Sequence, residues 1–274
     1  MIDGLDTGAL ATLVAGLLAA GAVVGVLAGL FGVGGGAISV PVFFEVFGLL
    51  GYPDAVRMPL AVGTSLAVII PTAIVSARGH YRRGTVDVPL LKLWAAPVVL
   101  GVALGALIAR YAEPDLFKLV FTVISLVIAA KLLTGGRWKI ADGLPGRTTL
   151  RICGAGIGLL GALMGVGGGA MSNLVLTLYG VPIHNAVSTG AGVGILISVP
   201  GALGYMAAGW GKPGLPPDAI GYVSLLAFVV TIPTSILTTR LGVWLAHAMS
   251  RRALEVAFGL FLLAVSVRFV AAMI

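Results

Sequence analysis

The sequence predicts an all-α polytopic membrane protein made of two inverted repeats, and three observations carry that prediction. The 274-residue chain is 59% hydrophobic and only 10% charged, with a mean hydropathy of +1.11, far from the composition of soluble domains. Its apolar residues gather into ten stretches parted by short polar loops. One glycine-broken element occurs twice, as GLFGVGGGAIS over 29–39 and as GALMGVGGGAMS over 161–172.

In the first half the apolar stretches cover 8–31, 35–50, 58–77, 88–110 and 115–134; in the second they cover 150–164, 168–181, 186–209, 219–240 and 253–273. The longer ones reach the about 20 residues that a spanning helix needs. Those that start directly after a glycine cluster are shorter, about 15 residues or roughly 22 Å of helix. The 41 glycines suit helices that touch through small residues, and the spacings Gly21, Gly25 and Gly101, Gly105 are of this kind.

Basic residues set the orientation, because short cytoplasmic loops concentrate Lys and Arg. Three connections qualify: Arg78, Arg82, Arg83 and Lys92; Lys131, Arg137, Lys139, Arg147 and Arg151; and Arg240, Arg251 and Arg252. The net charge of +7 resides in such loops, so it predicts an inside-facing surface and not a nucleic-acid partner. Two helices, 186–209 and 219–240, already separate the second basic connection from the third. The stretch 150–181 must therefore return to its starting side as a hairpin, and the stretch 8–50 is its counterpart. Five segments per repeat invert the second copy and leave both termini outside. The expected division is an N-terminal repeat over 1–134, a cytoplasmic linker over 135–149 and an inverted C-terminal repeat over 150–274. The opening MIDGLDTG has the wrong charge for a secretory leader.

The duplication extends beyond the glycines. Ala61, Val62 and Thr64 recur as Ala186, Val187 and Thr189; Gly79 and His80 align with Gly204 and Tyr205; Phe121 and Lys131 align with Phe258 and Arg268.

Inverted repeats with broken helices are the architecture of secondary transporters, with the site near the midplane. The helices that start after Gly34, Gly35, Gly36 and after Gly167, Gly168, Gly169 would aim two N-termini, each with about half a positive charge and free N–H donors, at one place. Carboxylates are nearly absent from the apolar segments, which disfavours a cation carrier. Uncharged polar residues gather where the hairpins and following helices should meet: Ser39, Thr64 and Ser65, then Ser172, Asn173, Ser188 and Thr189. Each hydroxyl has a plain alternative in bonding its own preceding turn. His80, beside Arg78, Arg82 and Arg83, is a candidate proton relay or part of an anion-attracting inner mouth, against the plain reading of a topology-setting loop. Lys131 and Arg268 are read as snorkelling interfacial cations, and Cys153 as a packing residue.

GVGGGA satisfies a Gly-x-Gly-x-x-Ala dinucleotide fingerprint, but no strand precedes it and no acidic ribose partner follows. No converging set of nucleophile, base or metal ligands is present, so an enzyme is not expected.

The paired Gly-x-Gly-Gly-Gly-Ala motifs, AVGTSL over 61–66 with Pro71 and His80 after it, and GALGY over 201–205 together resemble the TauE/SafE sulfite-exporter family. The resemblance covers nearly the whole chain. It implies a carrier of small sulfur-containing anions, such as sulfite or organosulfonates, in the bacterial inner membrane, driven by an ion gradient. In the second half the Thr-Ser pair reads Thr189, Gly190, and the later proline is Leu196 with Pro200 instead, which departs from a symmetric use of Ser65.

The expected function is alternating-access transport of a small anion, with a passive anion channel as the alternative. Expected partners are the anionic substrate, H+ or Na+ as coupling ion and the lipid bilayer; a homodimer is left open, and neither nucleic acid, metal nor cofactor is expected.

Overall fold

The structure is a computed structural model and describes residues 7–31, 36–135 and 138–273. Among them ten helices form: α1 (Thr7–Phe31), α2 (Gly36–Leu49), α3 (Asp54–Arg82), α4 (Val88–Tyr111), α5 (Pro114–Leu133), α6 (Arg147–Met164), α7 (Gly169–Leu178), α8 (Ile183–Ala208), α9 (Leu225–Ala248) and α10 (Arg251–Ala271). A two-residue hairpin, β1 (Ala219–Ile220) and β2 (Val223–Ser224), leads into α9. The chain is an all-α polytopic membrane protein: α3, α4, α5, α8, α9 and α10 are long and apolar enough to cross a bilayer.

Each expected apolar stretch forms one helix, and the boundaries differ for local reasons. Helix α3 continues past the apolar run through Arg78 and His80, because nothing breaks it until Gly84, whose φ of +67° closes the turn. Helix α9 begins later than expected, since residues 219–224 form the hairpin instead.

Packing partners join the two halves of the chain. Gly21 lies against Thr231 and Thr234, and Gly25 against Ser235 and Thr238, so α1 and α9 run parallel with backbones close enough for Thr238 Oγ1 to donate to the Ala22 carbonyl (3.1 Å). Gly101, Gly105 and Gly158 do the same for the parallel pair α4 and α6. Only a hydrogen-sized side chain permits such approach, which supplies the dispersion contact that replaces water exclusion inside a membrane.

Two further pairs, α3 with α8 and α5 with α10, are antiparallel. Along α3 and α8, Gly63 meets Tyr205, Leu66 meets Gly201, Ala73 meets Gly194 and His80 meets Ser188. Along α5 and α10, Lys118 Nζ donates to the Ala272 carbonyl (3.0 Å), Phe121 meets Phe269 edge-on, and Arg252 donates to the Leu132 and Leu133 carbonyls (2.6 and 2.5 Å). Each of these two helices thus has its last carbonyls capped by a cation of the other.

Helix α7 has ten residues, about 15 Å of helix and half the thickness of a bilayer core. It ends beside the segment that precedes α6: Ile140 N–H donates to the Leu178 carbonyl (2.8 Å) and Gly143 N–H to that of Tyr179 (3.0 Å). Helices α6 and α7 therefore form a hairpin that returns to its starting end, which also holds the C-terminal end of α3 and the N-termini of α4 and α8.

Candidate functional site

The break between α6 and α7 is made by two left-handed glycines, Gly165 (φ +67°) and Gly168 (φ +73°). Gly165 ends α6 with its N–H on the Ala162 carbonyl (3.3 Å), while Val166 N–H reaches that of Gly161 (3.0 Å), the pairing of a Schellman stop. Among the described residues no side chain caps the N-terminus of α7. A Cβ on Gly165 would strike Val40 and the Val62 backbone, and one on Gly167 would strike Ile69. One on Gly168 would strike Val193 and Ile197.

The two glycine elements meet. Gly36, the first residue of α2, lies so close to the α6–α7 break that an added Cβ would sit 2.8 Å from Val166 Cα and 3.1 Å from the Gly165 carbonyl oxygen. Ser65 Oγ of α3 donates to that same carbonyl (2.8 Å), and Ser39 Oγ of α2 lies 2.7 Å from Ser65 Oγ. With the Ser65 proton on Gly165, Ser39 is the donor of the pair. Both serines are fully enclosed. Gly34 and Gly35 lie outside the described residues.

The second half builds the corresponding place differently. The position of Ser65 is taken by Gly190, and a Cβ there would lie 2.8 Å from both Asn173 Oδ1 and Ser172 Oγ. The position of Asn173 on the first half-helix is Val40. The polar group thus moves from the long helix to the short one. Asn173 Oδ1 is buried without a hydrogen-bond partner, whereas Ser172 Oγ donates to the carbonyl of Gly168 (2.6 Å) in its own preceding turn. One turn beyond Asn173, Thr177 Oγ1 donates to the Asn173 carbonyl (2.6 Å) and accepts from Lys131 Nζ of α5 (2.6 Å). Lys131 is held by α7, where snorkelling alone was expected; its counterpart Arg268 pairs with Glu45 of α2 (2.9 Å).

Thr64 Oγ1 accepts from the Ser224 N–H (3.1 Å), and Thr189 Oγ1 accepts from the Asp87 N–H (3.0 Å). Ser224 and Asp87 immediately precede α9 and α4, and each also caps its helix: Ser224 Oγ accepts from Ala227 N–H (3.1 Å) and Asp87 Oδ1 from Leu90 N–H (3.0 Å). Each threonine therefore pins the start of a helix from the other half. Spacing alone offered no signal for this, because both partners are backbone amides far away in sequence.

A cavity of about 320 Å3 opens at the basic end of the bundle. Thr85 and Asp87 of the α3–α4 connection, Leu176 of α7, and Asn185 and Thr189 of α8 line it. His80 stands beside it, with Nδ1 3.0 Å from Ser188 Oγ, which also donates to the His184 carbonyl (2.7 Å). Arg78 is exposed near the C-terminal end of α3. At the opposite end burial raises the Tyr222 phenol above its ordinary range, so that group stays neutral. Among the described residues no cluster of three His, Cys, Asp or Glu side chains has metal-binding geometry.

Long apolar helices, packed through glycines and interrupted by a hairpin whose break meets a second helix start, define a polytopic membrane protein of the transporter class. The chain belongs to the sulfite exporter TauE/SafE family, whose model matches residues 17–269. It is 30% identical to a probable membrane transporter protein of Haemophilus influenzae, over 91% of this chain and 95% of that protein. It is 29% identical to a probable membrane transporter protein of Methanocaldococcus jannaschii, over 88% of this chain and 89% of that protein. No solved structure matches the chain.

Proposed function

We propose that this protein is a secondary transporter that moves a small anion, sulfite or an organosulfonate, across the bacterial inner membrane by alternating access, without catalysing a chemical reaction. The observation that carries the reading is the meeting of the α2 start with the α6–α7 break. Two helix N-termini with no acidic side chain at their meeting point form a positive, donor-rich place for a guest that must also leave. The antiparallel run of α3 against α8 and of α5 against α10 is the relation that two inverted repeats, 1–134 and 150–274 around a linker, would produce.

Within that place the serines are committed to each other and to Gly165, so the polar group open to a guest is Asn173. A half-turn of its amide sets Nδ2–H where Oδ1 now lies unpaired, ready to donate to an oxyanion. Lys131, one helical turn away through Thr177, adds a positive field. The cavity lined by Thr189 and Asn185 is the approach from the basic, cytoplasmic end.

Asymmetry between equivalent seams supports a two-state carrier over a channel. An added Cβ at Gly204 would lie 2.5 Å from Ala106 Cβ, closing α8 onto α4. At the corresponding Gly79 of α3 it would meet nothing within 4 Å among the described residues. Contact at Gly204 and space at Gly79 fit an inward-facing state whose mirror exchanges the two seams.

Purified protein in liposomes tests this reading. Labelled sulfite should accumulate against its gradient when an H+ or Na+ gradient is imposed, and Gly36→Val or Gly167→Val should abolish flux while the protein stays folded by size exclusion. Flux at a diffusive rate with no accumulation would identify a channel, and unimpaired flux in both variants would remove the proposed site.

A further inference from the structure

A second groove, of about 760 Å3, lies between the N-terminal halves of α4 and α6 at the basic end of the bundle, apart from the meeting of the helix breaks. Three cations line it, Lys92 of α4 with Arg147 and Arg151 of α6. All three are exposed, and none has an ion-pair partner among the described residues. The carboxylate of Asp87 also borders the groove, but it is turned onto the Leu90 N–H as the α4 cap.

Below the cations the lining changes character. Ala96, Pro97 and Leu100 continue the same face of α4 at steps of three and four residues from Lys92, forming a shallow apolar trough. Lys92 to Leu100 spans about 12 Å along the helix, and Leu100 is 69% exposed on a helix apolar enough to cross the bilayer. Trp94 Nε1 donates to the Leu150 carbonyl (2.7 Å), which holds the two helices at a fixed separation beneath the groove.

We propose that this groove binds an anionic phospholipid, with the phosphate among Lys92, Arg147 and Arg151 and an acyl chain along Ala96, Pro97 and Leu100. A water-soluble anion would use the cations and leave the trough uncovered. A phospholipid matches both parts, and a cytoplasmic leaflet supplies one that is already oriented. The groove borders the cavity at the basic end through Asp87 and Leu90 but among the described residues is lined by none from the helix breaks, which sets its occupant apart from an anion held there.

The test uses the full chain purified in a zwitterionic detergent, with lipid binding followed by native mass spectrometry and thermal unfolding. Phosphatidylglycerol should bind and raise the unfolding temperature, while phosphatidylcholine with the same acyl chains should do neither. Each neutralised cation should weaken binding about fivefold, and the triple variant Lys92→Gln, Arg147→Gln, Arg151→Gln on the order of a hundredfold. The control Arg82→Gln, Arg83→Gln, at the same end but outside the groove, should leave binding unchanged. Ala96→Trp fills the trough and should weaken phosphatidylglycerol without altering any response to glycerol 3-phosphate. Equal binding of both lipids, undiminished binding by the triple variant, an Ala96→Trp protein with unchanged affinity, or glycerol 3-phosphate binding as tightly as the lipid would each overturn the proposal.

Discussion

Ser65 should matter far more than Ser172, although both are buried hydroxyls next to a helix break. Replacing Ser65 with Ala removes the donor to the Gly165 carbonyl and the partner of Ser39. Ser39 has a fallback, since the Gly36 carbonyl lies 3.5 Å from its hydroxyl. One buried acceptor is therefore stranded, at a cost of about 1–3 kcal/mol. Hydrogen bonds between membrane helices measure about 0.6 kcal/mol on average and about 1.7 at most. The expected loss is thus about 1–2 kcal/mol, a factor of about 5 to 30 in the folding equilibrium. Ser172→Ala only frees the carbonyl of Gly168 in its own helical turn, for about a few tenths of a kcal/mol. Reversible unfolding in mixed micelles, followed by fluorescence of the four tryptophans, measures both. A double-mutant cycle should find about 0.6–1.7 kcal/mol of coupling between Ser39 and Ser65 and none between Ser65 and Ser172. A silent Ser65→Ala, or a Ser172→Ala equally damaging, would show that the hydroxyl chain across the break is not what holds the two glycine elements together.

The remaining expectations concern transport. Gly190→Ala drives a methyl group to 2.8 Å from Asn173 Oδ1 and Ser172 Oγ, so sulfite flux in liposomes should fall steeply; the pair Gly190→Ser, Asn173→Val copies the first half and should fold normally yet carry no sulfite, and wild-type flux in the pair would remove Asn173 from the site. In a Cys153→Ser background, Gly204→Cys with Ala106→Cys should cross-link under oxidant, arrest transport and recover on reduction. Full-rate transport by the cross-linked protein would contradict an exchange of seams.

Most of the helical framework could be read from the sequence because apolar length and glycine punctuation are local properties. The return of the second hairpin also follows from counting crossings between basic loops, and the Leu178 and Tyr179 carbonyls meet the preceding linker accordingly. The site was less legible, since composition marks which residues are polar but not where their hydrogen bonds are used. Thr64 and Thr189 repeat in the sequence, and the repetition suggested a shared guest; that each also accepts one amide at the head of a distant helix was not legible there. The departure at Gly190 looked like a lost hydroxyl. In three dimensions Asn173 fills the space, an exchange between two helices that no linear motif displays.

In the transport cycle proposed above, the two chain halves are not the two moving parts. Helix α1 packs along α9, α4 along α6, and the half-helices are tied across the halves, α7 to α5 through Lys131 and α2 to α10 through Arg268 and Glu45. Such ties oppose any motion that slides one complete half past the other, because glycine seams with backbones in contact cannot shear without clashing. The same ties leave each half-helix held at its C-terminal end by the opposite half, with its N-terminal end at the shared centre. Helices α4 and α8 pack along much of their length, whereas the equivalent contact between α3 and α9 is slight and lies near Thr64 and Ser224. The proposed cycle therefore opens and closes the seams between the fourth helix of one half and the long third helix of the other. A guest at the breaks lies between α3 and α8, one member of each seam, and is placed to bias which of the two is closed.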